Sequence, residues 1–187
     1  MSAEQGKSLA GIGALLLVIG TFIPFLGIVG FILLMVGLRN LANHYKDSSI
    51  FGNALYGIIF GVIGVAAAAF IIIAVIFGGS FLGFQYTPGG AVTGNFVALI
   101  GGIIIALVIA FIFYILMAIY LRRSFNTMAN KTGIGYFRTA GLLLLIGAIL
   151  TIILIGLILI FVAWILLTVA FFSMPSNPTP TTQATTV

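Results

Sequence analysis

The chain has 187 residues, 63% hydrophobic and 5% charged, with seven Lys/Arg against two Asp/Glu. Soluble domains carry about 25% charged residues, so the composition excludes a water-soluble globular protein and points to an integral membrane protein. Cysteine is absent, which excludes disulfides and thiolate metal sites, and the basic balance reads as positive-inside bias rather than nucleic-acid binding.

The first apolar stretch, Leu9 to Leu38, follows MSAEQGKS and has no A-x-A-like site that would mark a cleaved signal peptide. As one straight helix it would be about 45 Å long, against a hydrocarbon core of ~30 Å. Two arrangements compete. A single span kinked at Pro24 gives four crossings in all, with Lys7 outside. A helical hairpin turning at PFLG places all seven cations on one side. Pro24 disfavours helix just before it, and Gly27 and Gly30 permit a tight turn or close packing. Length and Lys7 favour the hairpin.

KDSS follows, where Asp47, Ser48 or Ser49 can cap a helix, and then the long apolar run Ile50 to Gly79. The segment Ser80 to Asn95 contains Pro88-Gly89-Gly90 and reads as an uncharged loop. Phe96 to Leu121 is a second long span whose exit is marked by Arg122 and Arg123, with helix continuing towards Gly133. Positive-inside logic places loop 80–95 outside and 122–138 in the cytoplasm of a multi-pass cell-membrane protein. Thr139 to Phe172 repeats the length problem of the first stretch, and LLLVIGTFI (Leu15 to Ile23) aligns with LLLLIGAIL (Leu142 to Leu150). After a two-residue slip, Leu26 to Leu34 aligns with Ile155 to Ala163. The expectation is an all-α membrane domain over 1–173: two long central helices flanked by two short hairpins. The alternative is four spans with kinked first and last helices. The six helical segments are expected at about 7–22, 25–45, 49–78, 94–129, 136–150 and 153–173. The Thr/Pro-rich residues 174–187 read as a disordered tail, leaning to the cytoplasmic side.

Small residues four apart let membrane helices approach closely. Gly57, Gly61, Gly64 and Ala68 form such a stripe, as do Ala98, Gly102, Ala106 and Ala110. Because one loop joins the two long helices, these stripes are expected to face each other, with a homo-oligomer interface as the sharper reading. Gly156, Ala163 and Ala170 recur every seventh residue, the period of a left-handed seam.

Chemistry is harder to find. Glu4 and Asp47 are the only acids and His44 the only histidine, too few for a metal site that wants three or four ligands. No nucleophile–base set or phosphate-binding glycine motif is present, so neither an enzyme nor a cofactor is expected. Arg39, Lys46, Arg122, Arg123, Lys131 and Arg138 could form a basic collar that binds anionic lipid head groups or simply fixes topology. The function expected is that of a structural, scaffold or interaction protein in the membrane; the alternative is a pore or carrier for a small solute.

GLRNLANHYKDSSIFGNALYG, Gly37 to Gly57, together with the apolar segments before and after it, resembles a largely archaeal membrane family catalogued as domain of unknown function 996. The resemblance covers about residues 7 to 173, and its polar part, Arg39 to Asn53, is the specific portion. It implies a multi-spanning membrane protein of unknown function and supplies no substrate, cofactor or catalytic residue.

Overall fold

The computed structural model describes residues 3–81 and 93–175, all helix and turn. Most of the loop expected at 80–95 and of the tail expected at 174–187 falls outside the described residues. Among these residues six α-helices follow one another: α1 (Ala3–Gly20), α2 (Pro24–His44), α3 (Ser48–Phe81), α4 (Thr93–Thr132), α5 (Gly135–Leu150) and α6 (Ile155–Phe172). A short 3-10 turn, Thr151–Ile153, lies between the last two. The long helices α3 and α4 have 34 and 40 residues. Among the described residues, five helical segments are long and apolar enough to cross a membrane: Phe25–His44, Ser48–Ala74, Ile100–Thr132, Gly135–Ile153 and Ile155–Phe172. α1 carries Glu4, Gln5 and Lys7 in its first turns.

Backbone chemistry explains where the helices stop. Ile23 is extended (φ −125°, ψ 92°) as a residue before proline must be, and Pro24 opens α2 at a position where no N–H is needed. The turn after α2 is a Schellman motif: Lys46 N donates to Asn43 O and Asp47 N to Ala42 O, at 3.4 and 3.0 Å. Lys46 holds the left-handed conformation (φ 51°) that glycine usually supplies there. α4 stops at Gly133, whose φ of 73° costs glycine nothing. The α5–α6 turn depends on Leu154, left-handed at φ 62°, a strain of about 1 kcal/mol for a residue with a Cβ.

The chain divides into two compact units, Met1–Leu55 with Ala118–Val187, and Tyr56–Met117. In the first, α1 packs on α2 and on α6, and α6 packs on α5. α1 and α2 run antiparallel with their backbones nearly touching. A Cβ added at Gly13 would lie 2.4 Å from Leu34 N, one at Gly37 2.4 Å from Ala10 N, and one at Gly20 2.4 Å from Gly27 Cα. These pairs, one towards each end of the helices and one between, make the first stretch a hairpin and exclude the kinked single span.

The second hairpin is built alike. Gly147 and Gly156 meet across its turn, where a Cβ on Gly156 would lie 2.0 Å from Gly147 O. In the sequence alignment of the two end segments, Gly20 corresponds to Gly147 and Gly27 to Gly156, so the glycine pair that closes one turn is the counterpart of the pair that closes the other. Burial follows the same register: Leu34, Leu38 and Leu41 correspond to Ala163, Leu167 and Ala170, and all six are buried. The similarity between the ends of the chain is therefore structural as well as verbal. The two hairpins are copies of one device.

In the second unit α3 and α4 fit bulky side chains into glycine notches. Met117 Sδ lies 2.7 Å from where a Cβ of Gly61 would be, and Phe113 Cβ 2.5 Å from that of Gly64. The rings of Phe60 and Phe113 are 6.2 Å apart. Large apolar residues point outward, with Val65 71% and Phe70 73% exposed, while Ala106 is fully buried. Small residues inside and large ones outside is the pattern of helices packed in lipid, and outward apolar surface of this extent would not stay dissolved in water.

Candidate functional site

The polar side chains gather at one end of the first unit, where α1 begins, α2 and α4 end, α3 and α5 begin and α6 ends. Antiparallel packing brings these termini together. Gly6 abuts Asn40 and Leu41, and the Lys7 ammonium donates to the Met174 carbonyl just past α6. That contact sets a cation just past the C-terminus of α6, the end of a helix dipole that favours positive charge.

Asp47 occupies the turn between α2 and α3 and caps α3. One carboxylate oxygen accepts from Ser49 N (3.1 Å) and Ser49 Oγ (2.6 Å), and the other pairs with Lys131 Nζ on α4 at 3.2 Å. Of the three capping candidates in the sequence, Asp47 is the one that caps. The Ser49 hydroxyl holds the Asp47 carboxyl below the ordinary aspartate range, with slight burial opposing and Lys131 assisting. A carboxyl lowered in the folded state contributes stability that is full above the ordinary value of 3.8 and is lost as pH falls through the folded value. Asp47→Ala is expected to cost about 1–2 kcal/mol, read as a lower unfolding midpoint in detergent by fluorescence of Trp164, the single tryptophan. The parent's midpoint should fall between pH 5 and pH 3 more steeply than the variant's.

Next to this clasp, the buried Ser124 hydroxyl donates to Ile50 O at 2.6 Å, tying α4 to the first turn of α3. Arg138 on α5 donates to Asn130 Oδ1 on α4 at 2.9 Å. Arg123 lies over the Tyr120 ring, 5.3 Å from its centroid, and the backbone of Arg122 packs against Gly141 on α5. Burial pushes the Tyr45 hydroxyl above the ordinary tyrosine range. Asn40 Nδ2, Tyr45 OH and Asn126 Oδ1 are buried with no hydrogen-bond partner among the described residues.

The residues singled out in the sequence are placed as follows. Arg39, Lys46, Arg122, Arg123, Lys131 and Arg138 all lie at this end, and Lys131 makes the one ion pair found among the described residues. Gly57 and Gly64 are buried, Gly61, Ala68, Gly102 and Ala110 half-buried, and Ala106 fully buried; the side chain of Ala98 lies outside those described. The face of α4 that meets Gly61 and Gly64 offers Met117, Phe113 and the Ala110 carbonyl. Gly61 therefore receives the Met117 thioether, and Gly64 the Phe113 side chain with the Ala110 carbonyl beside it, because a glycine notch is deep enough for a ring or thioether. Gly156, Ala163 and Ala170 are buried on α6. The sequence does not single out the buried polar residues Asn40 and Ser124, nor Gly6, Gly13, Gly20 and Gly37 of the first hairpin. Gly6, Gly13 and Gly20 recur every seventh residue, the period already noticed on α6.

No group of three or more His, Cys, Asp or Glu that could hold a metal occurs among the described residues. The model of a family described as protein of unknown function (DUF996) matches residues 26–165. The chain belongs to this DUF996 family. A relative from Methanocaldococcus jannaschii, "Uncharacterized protein MJ1644", is 32% identical over 184 residues, 95% of this chain and 96% of the relative. No solved structure matches. The part matched by the DUF996 model includes Asp47, Lys131 and the α4–α5 junction, so the clasp and the arginines beside it belong to the family's own span.

Proposed function

We propose that this DUF996 protein is a non-enzymatic structural or interaction component of the cell membrane, whose cationic end lies at the cytoplasmic leaflet and holds anionic lipid head groups. One observation carries the reading. Seven cations collect at the helix termini of a single unit, where only Asp47 and Glu4 offer negative charge and Asp47 is already paired. Anionic lipids supply the missing charge, at about 1 kcal/mol per Lys or Arg near the surface. Gly61 and Gly64 are covered by Met117 and Phe113, so the reading rests on the cationic end and not on association through those glycines.

The native chain has no cysteine, which allows a direct test. Ser173→Cys at the cationic end should resist a membrane-impermeant maleimide in intact cells, and Thr21→Cys in the first hairpin turn should be labelled. The opposite labelling would place the cations outside and sink the orientation. Protein purified in mild detergent should retain acidic phospholipid through washing; retention of neutral lipid alone would sink the lipid reading.

A further inference from the structure

Three contacts fix how α1 runs beside α6. The Lys7 ammonium reaches the Met174 carbonyl, a Cβ on Gly11 would lie 3.1 Å from the Phe172 ring, and the ring of Phe22 stands 6.2 Å from that of Phe161. Gly11 to Phe22 and Phe161 to Phe172 are equal intervals of sequence, so the two antiparallel helices stay in step. The first hairpin turns at Phe22, level with Phe161, whereas α6 continues to Ile155, about 9 Å further. Measured from Met174, the second hairpin reaches about 29 Å and the first about 20 Å. α2 agrees, since its apolar part, Phe25 to Leu38, covers about 20 Å before Arg39.

A hydrocarbon core is ~30 Å thick. The second hairpin matches it and the first does not. Tilt only shortens the reach of a short hairpin, and Lys7, already engaged with Met174, cannot extend it by snorkelling. Nor does the turn suit hydrocarbon. Among the described residues the carbonyls of Gly20, Thr21 and Phe22 accept no backbone hydrogen bond, and Thr21 and Phe22 are exposed. Irregular backbone open to lipid is not tolerated at that depth, and each unpaired group costs more than several ångströms of thinning.

We propose that the protein thins the bilayer locally, drawing in the leaflet opposite the cations by about 9 Å around the first hairpin. Head groups and water then reach Thr21, and the partner is the lipid of that leaflet, with shorter chains fitting the step best. Phe22 and Phe25, 77% and 73% exposed, give those chains an apolar rim. This goes beyond the proposed function and rests on it only for calling that leaflet the outer one.

The test uses the full chain in phosphatidylcholine nanodiscs, whose two faces both meet solvent, with a membrane-impermeant maleimide. In oleoyl bilayers Thr21→Cys should react within about threefold of Ile152→Cys at the second turn, where the native side chain is 71% exposed. Reaction of Thr21→Cys more than about tenfold slower than Ile152→Cys would leave the first turn sunk in intact hydrocarbon and overturn the thinning, as would slow reaction of both. Trp164, half-buried on α6, gives a readout without substitution. Brominated phosphatidylcholine with myristoleoyl-length chains should displace oleoyl lipid and quench Trp164 at least about twofold more effectively than brominated lipid of erucoyl length. Equal quenching would overturn the proposal. Both faces being open, neither result depends on orientation, so this inference and the proposed function fail separately.

Discussion

Gly156→Val is expected to prevent the second hairpin from closing. Its Cβ would fall 2.0 Å from Gly147 O, 2.3 Å from Thr151 N and 2.5 Å from the Leu150 carbonyl carbon. All three are backbone atoms, so no rotamer change relieves them. Ordinary overpacking against movable side chains costs about 1–3 kcal/mol; here α5 and α6 must separate, and the loss should exceed about 3 kcal/mol. The measurement is the unfolding midpoint in detergent followed by Trp164, which lies on α6 itself. Gly52→Ala and Gly101→Ala, where a new Cβ meets nothing within 4 Å, supply the controls. They should leave the midpoint unchanged or raise it slightly, since alanine restricts the unfolded chain more than glycine does. A Gly156→Val protein as stable as these controls would mean that the two glycines do not touch.

Gly13→Val should have a comparable effect at the other end of the sequence. The added Cβ would meet Leu34 N at 2.4 Å, Gly30 O at 2.6 Å and Leu34 Cα at 2.8 Å, again backbone on backbone. The substitution also separates the two topologies that the sequence allows. In a single kinked span, Gly13 and Leu34 are far apart along one helix, and valine at 13 would face lipid at almost no cost. In the hairpin it drives α1 off α2, and the loss should again exceed about 3 kcal/mol. Ile12→Val, at an exposed neighbour on the same turn, should be silent. A silent Gly13→Val would return the first stretch to a single kinked span.

The architecture was legible in the sequence because its signals are coarse and additive. Hydrophobic length marked the helices, Pro24 and Gly133 marked two of the breaks, and length together with Lys7 favoured hairpins over kinked spans. Which small residues would carry the closest contacts was less legible. Glycine spacing of four drew attention to α3 and α4, where the notches are filled by Phe113 and Met117, and heptad spacing at Gly6, Gly13 and Gly20 passed unnoticed. The reason is physical: a glycine's role depends on what lies across from it, and a single chain of apolar letters does not name the opposite helix. The same limit hid Asn130. On paper it is one polar residue in SFNTMANK; its hydrogen bond comes from Arg138 on α5, brought beside it by a turn at Gly133. Leu154 was invisible for another reason, since nothing in TIILIG announces a left-handed leucine where glycine would be expected.

The duplicated hairpin also bears on how the protein enters its membrane. Each copy is sealed by glycine contacts between its own two helices, so each can form as a two-helix unit before any other helix is needed. The turns at the closed ends, Thr21-Phe22-Ile23 and Thr151 to Leu154, contain no charged residue. Moving a charge through hydrocarbon is the costly step of insertion, and neither turn imposes it.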